Sequence, residues 1–210
     1  GNIEFKEGKT DGVVRWAKVG FSTPATDRAR DRLMSTMAMV IDAPPFERAD
    51  GVHVSWPSKE LAEFFRVNGF EGGAHIKRVP TWVWSLPESQ RLAFIAGYLD
   101  ADGYLQEPRS LAARSVNRAL LEDIASLLVM LGVTSHLYTE FDTPRRVTIM
   151  GVECVAHGAY RLIFPQDERL VPHLSPVLRQ RVEQCPPASL QHHRSIGRSN
   201  IELPETVEVV

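Results

Sequence analysis

Apolar residues recur at helical spacing over residues 117–133, which predicts an amphipathic helix there. Gly132 supplies a stop at the end of this helix. A second helix is predicted from about residue 87 to 101, with Pro87 at its start and Glu88 in its first turn. The apolar positions of the helix predicted over 117–133 are Leu120, Ile124, Leu127, Leu128 and Leu131.

The order of the predicted elements occurs twice along the chain. After Gly1, and again after Gly103, extended segments precede a helix, a strand that ends at a proline and a second helix start. The alternative is that the two stretches are unrelated. The paired segments are 13–22 with 109–116, 26–41 with 117–133, 51–57 with 158–165, and 58–70 with 166–174. The repeat, if present, predicts two similar halves packed side by side.

Small residues mark one side of the predicted helix 87–101. Ala93, Gly97 and Ala101 follow each other at intervals of four, and Ala96 lies beside them. Small side chains at this spacing allow two helix backbones to approach closely. Because a glycine inside a helix costs about 1 kcal/mol relative to alanine, Gly97 favours a role in packing or function.

Two carboxylates, Asp100 and Asp102, fall at the end of the same helix. They face the negative end of the helix dipole, which is unfavourable for stability alone. A divalent cation such as Mg²⁺, which binds one or two carboxylates together with water and substrate phosphates, would resolve this conflict. Two other interpretations remain open. The stretch could be a simple helix stop, or the start of a calcium loop, although the later acids of such a loop do not follow.

Composition narrows the function classes. The chain has 210 residues, 43% hydrophobic and 24% charged, and no apolar run long enough for a membrane helix, so we expect a cytoplasmic globular protein. The net charge of −2 argues mildly against a nucleic-acid partner, although a local basic patch would suffice. Arginines are concentrated in one region, which could equally be a solvated face: Arg109, Arg114, Arg118, Arg145, Arg146 and Arg161.

Residues 95–103, IAGYLDADG, resemble the LAGLIDADG motif of homing endonucleases at six of nine positions. The block 77–82, KRVPTW, resembles the segment that precedes the second motif in members found inside inteins, and 120–138 resembles the one that follows it. With the repeat, the resemblance covers about residues 1–175. It implies an α+β fold in which an αββαββα unit is repeated with pseudo-twofold symmetry. The motif helices would pack centrally through their small residues, and the strands would form a saddle over double-stranded DNA.

The same resemblance implies roles for individual residues. Asp102, just before the final glycine, would be a catalytic residue that binds Mg²⁺ or Mn²⁺, and Lys77 would be the catalytic lysine. Asp100 would serve at the helix end. An exposed loop lysine is the alternative for Lys77. The helix interface would comprise Ala93, Ala96, Gly97 and Ala101, and the residues expected to bind DNA are Arg15, Lys18, Arg114, Arg145, Arg146 and Arg161.

The chain departs from the family pattern at its start. Gly1 aligns with Gly103, so the first motif helix and its acid are expected upstream, leaving the first half truncated. We therefore expect weak cleavage or none from this segment alone, and a homodimer only if the truncated half is replaced. We divide the chain into a first half at 1–86, a second half at 87–185, and a linker at 186–210 that leads toward a C-terminal splicing region.

The sequence favours a metal-dependent, site-specific DNA endonuclease associated with an intein. Host protein segments flanking the intein would be its other partners. The competing interpretation is a LAGLIDADG DNA-binding module without cleavage, either a degenerate intein insert or a regulator. Asp102 and Lys77 favour the endonuclease, whereas the missing first motif favours the binding module for this segment. A generic α/β protein with an accidental motif is a third, weaker interpretation.

Overall fold

A computed structural model describes residues 2–7, 13–27, 29–106, 110–149 and 152–185. The first half of this part of the chain contains a four-stranded antiparallel sheet in the order β1-β2-β4-β3. The N-terminal strand β1 is paired along its length with β2, with one irregularity between Lys6 and Glu7. The strands are β1 (Asn2–Glu7), β2 (Val14–Ser22), β3 (Phe46–Glu47) and β4 (His53–Pro57).

The second sheet repeats this topology. Its strand order is β5-β6-β10-β7. When the four strands of each sheet are numbered in chain order, both sheets have the order first, second, fourth, third. The predicted repeat and the α+β fold class are therefore confirmed. A separate hairpin, β8–β9, lies between β7 and β10 of the second half. The strands are β5 (Gly103–Gln106), β6 (Ser110–Ser115), β7 (His136–Phe141), β8 (Arg145–Ile149), β9 (Val152–Ala156) and β10 (Ala159–Pro165).

Five α-helices accompany the sheets in the described ranges: α1 (Ala29–Ala38), α2 (Lys59–Val67), α3 (Glu88–Asp102), α4 (Arg118–Met130) and α5 (Pro176–Gln184). Ser58 caps α2, because its side chain accepts a hydrogen bond from the backbone N–H of Leu61. Asn117 caps α4 in the same way through the N–H of Leu120. None of the helices in the described ranges is long and apolar enough to cross a membrane.

The main hydrophobic core lies in the second half, between its sheet and helices α3, α4 and α5. Leu111 and Ala113 of β6 point into this core, so Ala112 and Arg114, which alternate with them, belong to the opposite face of the sheet. The first sheet has a smaller core, in which Ala17 and Val19 of β2 pack against Ala62 of α2. In both halves, helices thus cover one face of the sheet.

Two predicted helix boundaries are wrong. The helix expected over 166–174 is only a 3-10 turn at Val171–His173, and the α-helix begins later, at Pro176. Proline lacks a backbone N–H and fits the first turn of a helix but not its interior, so Pro172 and Pro176 together shift the helix start. The helix expected over 26–41 is shorter, at Ala29–Ala38, since Asp27 accepts a hydrogen bond from the N–H of Ala29 at its start.

The small residues of α3 do not share one environment. Ala96 is fully buried in the core of its own half, and its role in a helix interface stays a prediction. Ala93 is partly buried, and Gly97 and Ala101 are exposed on another side of the helix. Ala93, Gly97 and Ala101 follow each other at about one helical turn, whereas Ala96 is rotated by about 100° from Gly97.

Gly97, inside α3, and Gly103, directly after it, allow a matched prediction of stability. A Cβ at Gly103 would lie 2.5 Å from the carbonyl oxygen and 2.7 Å from the Cα of Leu99, because the chain passes from α3 into β5 without an intervening residue. We expect Gly103→Ala to destabilise the chain by about 1–3 kcal/mol. At Gly97 a Cβ would meet nothing within 4 Å, so Gly97→Ala should stabilise this chain by up to about 1 kcal/mol. Chemical denaturation of both variants checks the pair, and equal effects would contradict it.

Candidate nuclease site

The C-terminal end of α3 opens onto a cavity of about 260 Å³ between the two halves. Asp102 and Lys77, which the sequence places 25 positions apart, both line this cavity, as does Tyr98. The rest of the wall is mainly apolar and comes from both halves: Ile3, Val19, Phe21, Phe65, Phe70, Arg78, Phe94, Ala101, Leu120 and Ile124. The arrangement places one carboxylate and one ammonium group at the edge of an apolar recess.

The cavity raises the pKa of two of its acidic groups, Asp102 and Tyr98. Part of the Asp102 side chain is exposed to solvent. Its neighbours still remove enough water from the carboxyl to raise its pKa above the ordinary value, and the positive charge of Lys77 offsets only part of this increase. Burial also raises the pKa of Tyr98 to about 12, and the negative charge of Asp102 adds to this effect. Tyr98 therefore stays protonated at neutral pH. A cation bound at Asp102 would favour the ionised carboxylate and relieve its unfavourable position at the helix end.

The loop that carries Lys77 is attached to helix α4. The side-chain amide of Asn117, the residue that caps α4, donates to the backbone carbonyls of Lys77 at 2.7 Å and Ala74 at 2.9 Å. The Asn117 side chain thus accepts a hydrogen bond from the first turn of α4 and donates two to the loop. The sequence signal for Asn117 is its position before an apolar helical run, which predicts the cap but not the contact with a loop 40 residues away.

Asp123 is a second attachment point for the same loop. Its carboxylate accepts two hydrogen bonds from the guanidinium of Arg78, at 2.7 and 2.6 Å, and one from the backbone N–H of Val79 at 3.1 Å. Burial alone would raise the pKa of Asp123, but these hydrogen bonds and the charge of Arg78 outweigh it and hold the pKa below its usual value. Sequence reasoning missed both Asn117 and Asp123, which fix the residues on either side of Lys77.

Asp100 points away from the cavity and has a separate environment. One carboxylate oxygen accepts a hydrogen bond from the backbone N–H of Ser175, at the start of α5, and the other pairs with Arg32 of α1 at 3.0 Å. Arg32 also donates to the carbonyl of His173. Asp100 therefore links α3 to α5 and to the first half of the molecule. The two acids of the motif, two residues apart on α3, therefore differ in environment: Asp100 contacts neighbouring helices, and Asp102 lines the cavity.

The predicted DNA-binding cations fall into three groups. Arg114 of β6 and Arg161 of β10 are directly opposite each other, on the sheet face that the helices leave uncovered. Lys18 of β2 lies opposite Pro57 of β4, on the face of the first sheet that points away from its core, while Arg15 is exposed on the same strand. Arg145 and Arg146 lie on the separate hairpin strand β8, where both are exposed. The structure thus brings Arg114 and Arg161 together and spreads the others over two more surfaces.

The metal ligands available in the protein are few. Within the described ranges, no group of three or more His, Cys, Asp or Glu side chains is arranged to hold a metal ion. A single carboxylate at an open edge fits Mg²⁺ nevertheless, because this ion keeps several waters and takes remaining ligands from substrate phosphates. Asp102 is suited to that kind of site and unsuited to a closed structural one. Gly1, the counterpart expected for Gly103, lies outside the described residues.

Comparison with known proteins agrees with this geometry. Residues 89–168, which span α3 to the end of the second sheet, match the LAGLIDADG-like domain family. The chain therefore contains a LAGLIDADG-like domain and has the fold of the LAGLIDADG homing endonuclease I-DmoI over most of its length.

The similarity to I-DmoI is structural. A crystal structure of I-DmoI in complex with DNA and Ca matches 88% of this chain and 91% of that chain, with a TM-score of 0.57 and 18% identity. A complex with DNA and Mn gives a TM-score of 0.53 at 18% identity, over 81% and 85% of the two chains.

Curated relatives match by sequence over shorter stretches. An iron-sulfur cluster assembly SufBD family protein of Mycobacterium leprae is 32% identical over 55% of this chain, and a DNA polymerase of Thermococcus sp. (strain GE8) is 35% identical over 44%. The matched region spans 13% of the first relative's length and 6% of the second's.

Proposed function

We propose that this chain is the homing endonuclease domain of an intein, which binds a long, specific double-stranded DNA site and hydrolyses phosphodiester bonds with Mg²⁺ or Mn²⁺. The observation that carries the proposal is that Asp102, at the C-terminal end of α3, and Lys77 line one cavity, whose wall comes from both halves. I-DmoI, whose fold this chain has, was crystallised with DNA and with Mn or Ca.

Each residue of the site has a chemical task in this proposal. Asp102 would hold the cation together with water and DNA phosphate oxygens. The bound metal supplies activation of a water molecule and stabilisation of the leaving oxygen. Lys77 would stabilise negative charge that develops on the phosphate, and Asn117 and Asp123 would keep its loop in place. Tyr98, protonated at neutral pH, is available as a hydrogen-bond donor in the same recess.

DNA would lie across the uncovered faces of the two sheets. Lys18 would contact DNA from the first sheet, and Arg114 and Arg161 would contact it from the second, each on the face that points away from the core. Arg145 and Arg146 would reach the DNA from the hairpin, together with Arg15 from β2. Contacts to phosphates give affinity that depends on salt, and contacts to base edges in the major groove give specificity.

The relatives support an intein as the setting. An iron-sulfur cluster assembly protein and a DNA polymerase have no function in common, yet each contains a short segment similar to this chain. A segment shared by such different proteins, and covering 13% and 6% of their lengths, is the pattern of an inserted element. Host protein segments on either side of the insertion are then its natural partners.

A DNA-binding module without cleavage is the second candidate. It is favoured by one observation, namely that the described residues place a single carboxylate, Asp102, at the cavity. Both candidates require DNA binding, so a binding assay tests what they share and a cleavage assay separates them.

Binding to duplex DNA should weaken steeply with salt. Each phosphate contact by Lys or Arg contributes about −0.9 to the slope of log K against log salt concentration. We expect Arg114→Ala to reduce the magnitude of that slope by about 0.9, measured by fluorescence anisotropy. The matched control is Arg66→Ala on α2, which packs on the core side of the first sheet and pairs with Glu63. A salt-independent affinity, or the same loss in both variants, would contradict the proposed binding surface.

A further inference from the structure

A glutamate lies between the two opposed arginines of the second sheet. Glu140 of β7 pairs with Arg114 through one carboxylate oxygen, at 2.5 Å, and lies 3.8 Å from Arg161 through the other. Its side chain is 23% exposed, less than either arginine. Because β10 separates β7 from β6, the carboxylate reaches across a strand to contact Arg114.

The carboxylate has an electrostatic consequence for the free protein. Like charges directly opposite each other on antiparallel strands repel, and Glu140 offsets this repulsion between Arg114 and Arg161. Tyr138, opposite Arg161 on β7, adds a ring 5.6 Å from its guanidinium. Before any ligand binds, Arg114 is therefore paired with Glu140, and Arg161 lies beside the same carboxylate and the ring of Tyr138.

The same carboxylate is unfavourable near a polyanion. A phosphate that replaces Glu140 as the partner of Arg114 must break an ion pair and leave a partly buried carboxylate beside it. A base edge makes a smaller demand, since a guanidinium has five N–H donors and can keep the carboxylate while it donates to the acceptors of guanine. Glu140 thus penalises contacts to phosphate alone more than contacts to a correct base.

The first sheet has a comparable pair. Glu4 of β1 is directly opposite Lys18 of β2, and their charged groups are 2.9 Å apart. Lys18, Arg114 and Arg161 therefore each lie near a glutamate from another strand of the same sheet.

From this geometry we infer that Glu140 is a specificity-determining residue, which orients Arg114 and Arg161 for base contacts and disfavours binding to non-specific DNA. The inference rests on the proposed function, because it needs the second sheet to bind DNA. Selectivity that arises from a penalty against wrong partners is a general device in recognition.

The test is the affinity of the complete gene product and its Glu140→Gln variant for a random-sequence duplex over a range of salt concentrations. We expect the variant to bind this duplex roughly threefold to tenfold more tightly at low salt, with a slope steeper by about 0.9 to 1.8, as one or two phosphate contacts are added. Duplexes selected from a randomised library by the variant should also be less constrained in sequence than those selected by the wild type.

Two further variants make the result unambiguous. Glu63→Gln removes the same charge from an ion pair on α2 and should change neither affinity nor slope. Glu140→Asp keeps the charge and should bind the random duplex nearly as weakly as the wild type. Equal binding by the wild type and Glu140→Gln, or equal gains in Glu140→Gln and Glu140→Asp, would overturn the inference. A wild type that binds no duplex at all would instead refute the proposed function.

Discussion

Asp102→Asn is expected to lose Mg²⁺-dependent DNA cleavage by more than about 100-fold, because an amide is a poor ligand for the cation that Asp102 would hold. DNA affinity should be unchanged or slightly higher, since the substitution removes a negative charge near the phosphates. Gel-based cleavage and anisotropy on one preparation of the complete gene product separate the two properties. Undiminished cutting by the variant would refute the catalytic assignment of Asp102.

Although Asp102→Asn should lose cleavage, its free energy of unfolding should rise. Asp102 faces the negative end of α3 and its pKa is raised, so its ionised form is disfavoured in the folded state. We expect Asp102→Asn to be about 0.3–1 kcal/mol more stable than the wild type in EDTA at neutral pH. This advantage should be present above the raised pKa and vanish below the ordinary value of 3.8, where the wild-type carboxyl is protonated in both states.

The second large effect is expected at Asp123. Asp123→Ala removes two hydrogen bonds from Arg78 and leaves the buried N–H of Val79 without its acceptor, which should cost about 1–3 kcal/mol. The loop that carries Lys77 would then lose one of its two attachments, so cleavage should fall even at temperatures where the variant is folded. Denaturant unfolding and single-turnover cleavage measure the two consequences.

Glu122→Ala is the control for this substitution. Glu122 precedes Asp123 on α4 and pairs with Arg118 on the surface, where such pairs contribute less than about 1 kcal/mol. The folded-state pKa of Asp123 is lowered, so the stability it provides is present above its ordinary value of 3.8 and lost as the pH falls through the folded-state pKa. Similar stability losses at Glu122 and Asp123, or wild-type cleavage by Asp123→Ala, would show that the anchor does not position Lys77.

Local sequence signals predicted most of the fold. Helix α4 follows from its apolar spacing and the glycine stop at its end, and the repeat follows from the order of elements, which the two equivalent strand orders confirm. The errors also have local causes. Prolines at 172 and 176 moved the start of α5, and the hydrogen bond that Asp27 accepts moved the start of α1.

The site was predictable only in part. The motif resemblance indicated Asp102 and Lys77, and the structure brings both to one cavity. It could not indicate Asn117, Asp123 or Glu140, because their partners lie on other elements, 40 or more positions away in the first two cases and across a neighbouring strand in the third. The division of labour between Asp100 and Asp102 likewise depends on α5 and Arg32, which only the tertiary structure places beside α3.

The central claim, that this fold carries a metal-dependent nuclease with Asp102 at its centre, is tested most directly by mapping DNA ends. The complete gene product, its Asp102→Asn variant and its Asp100→Asn variant would each be incubated with a randomised plasmid library in Mg²⁺ or EDTA, and the new ends sequenced. We predict cuts at one long, shared site in Mg²⁺ for the wild type and for folded Asp100→Asn, and none for Asp102→Asn or in EDTA. A folded wild type that binds DNA but makes no cuts with any divalent metal would contradict the account and establish the binding module in its place.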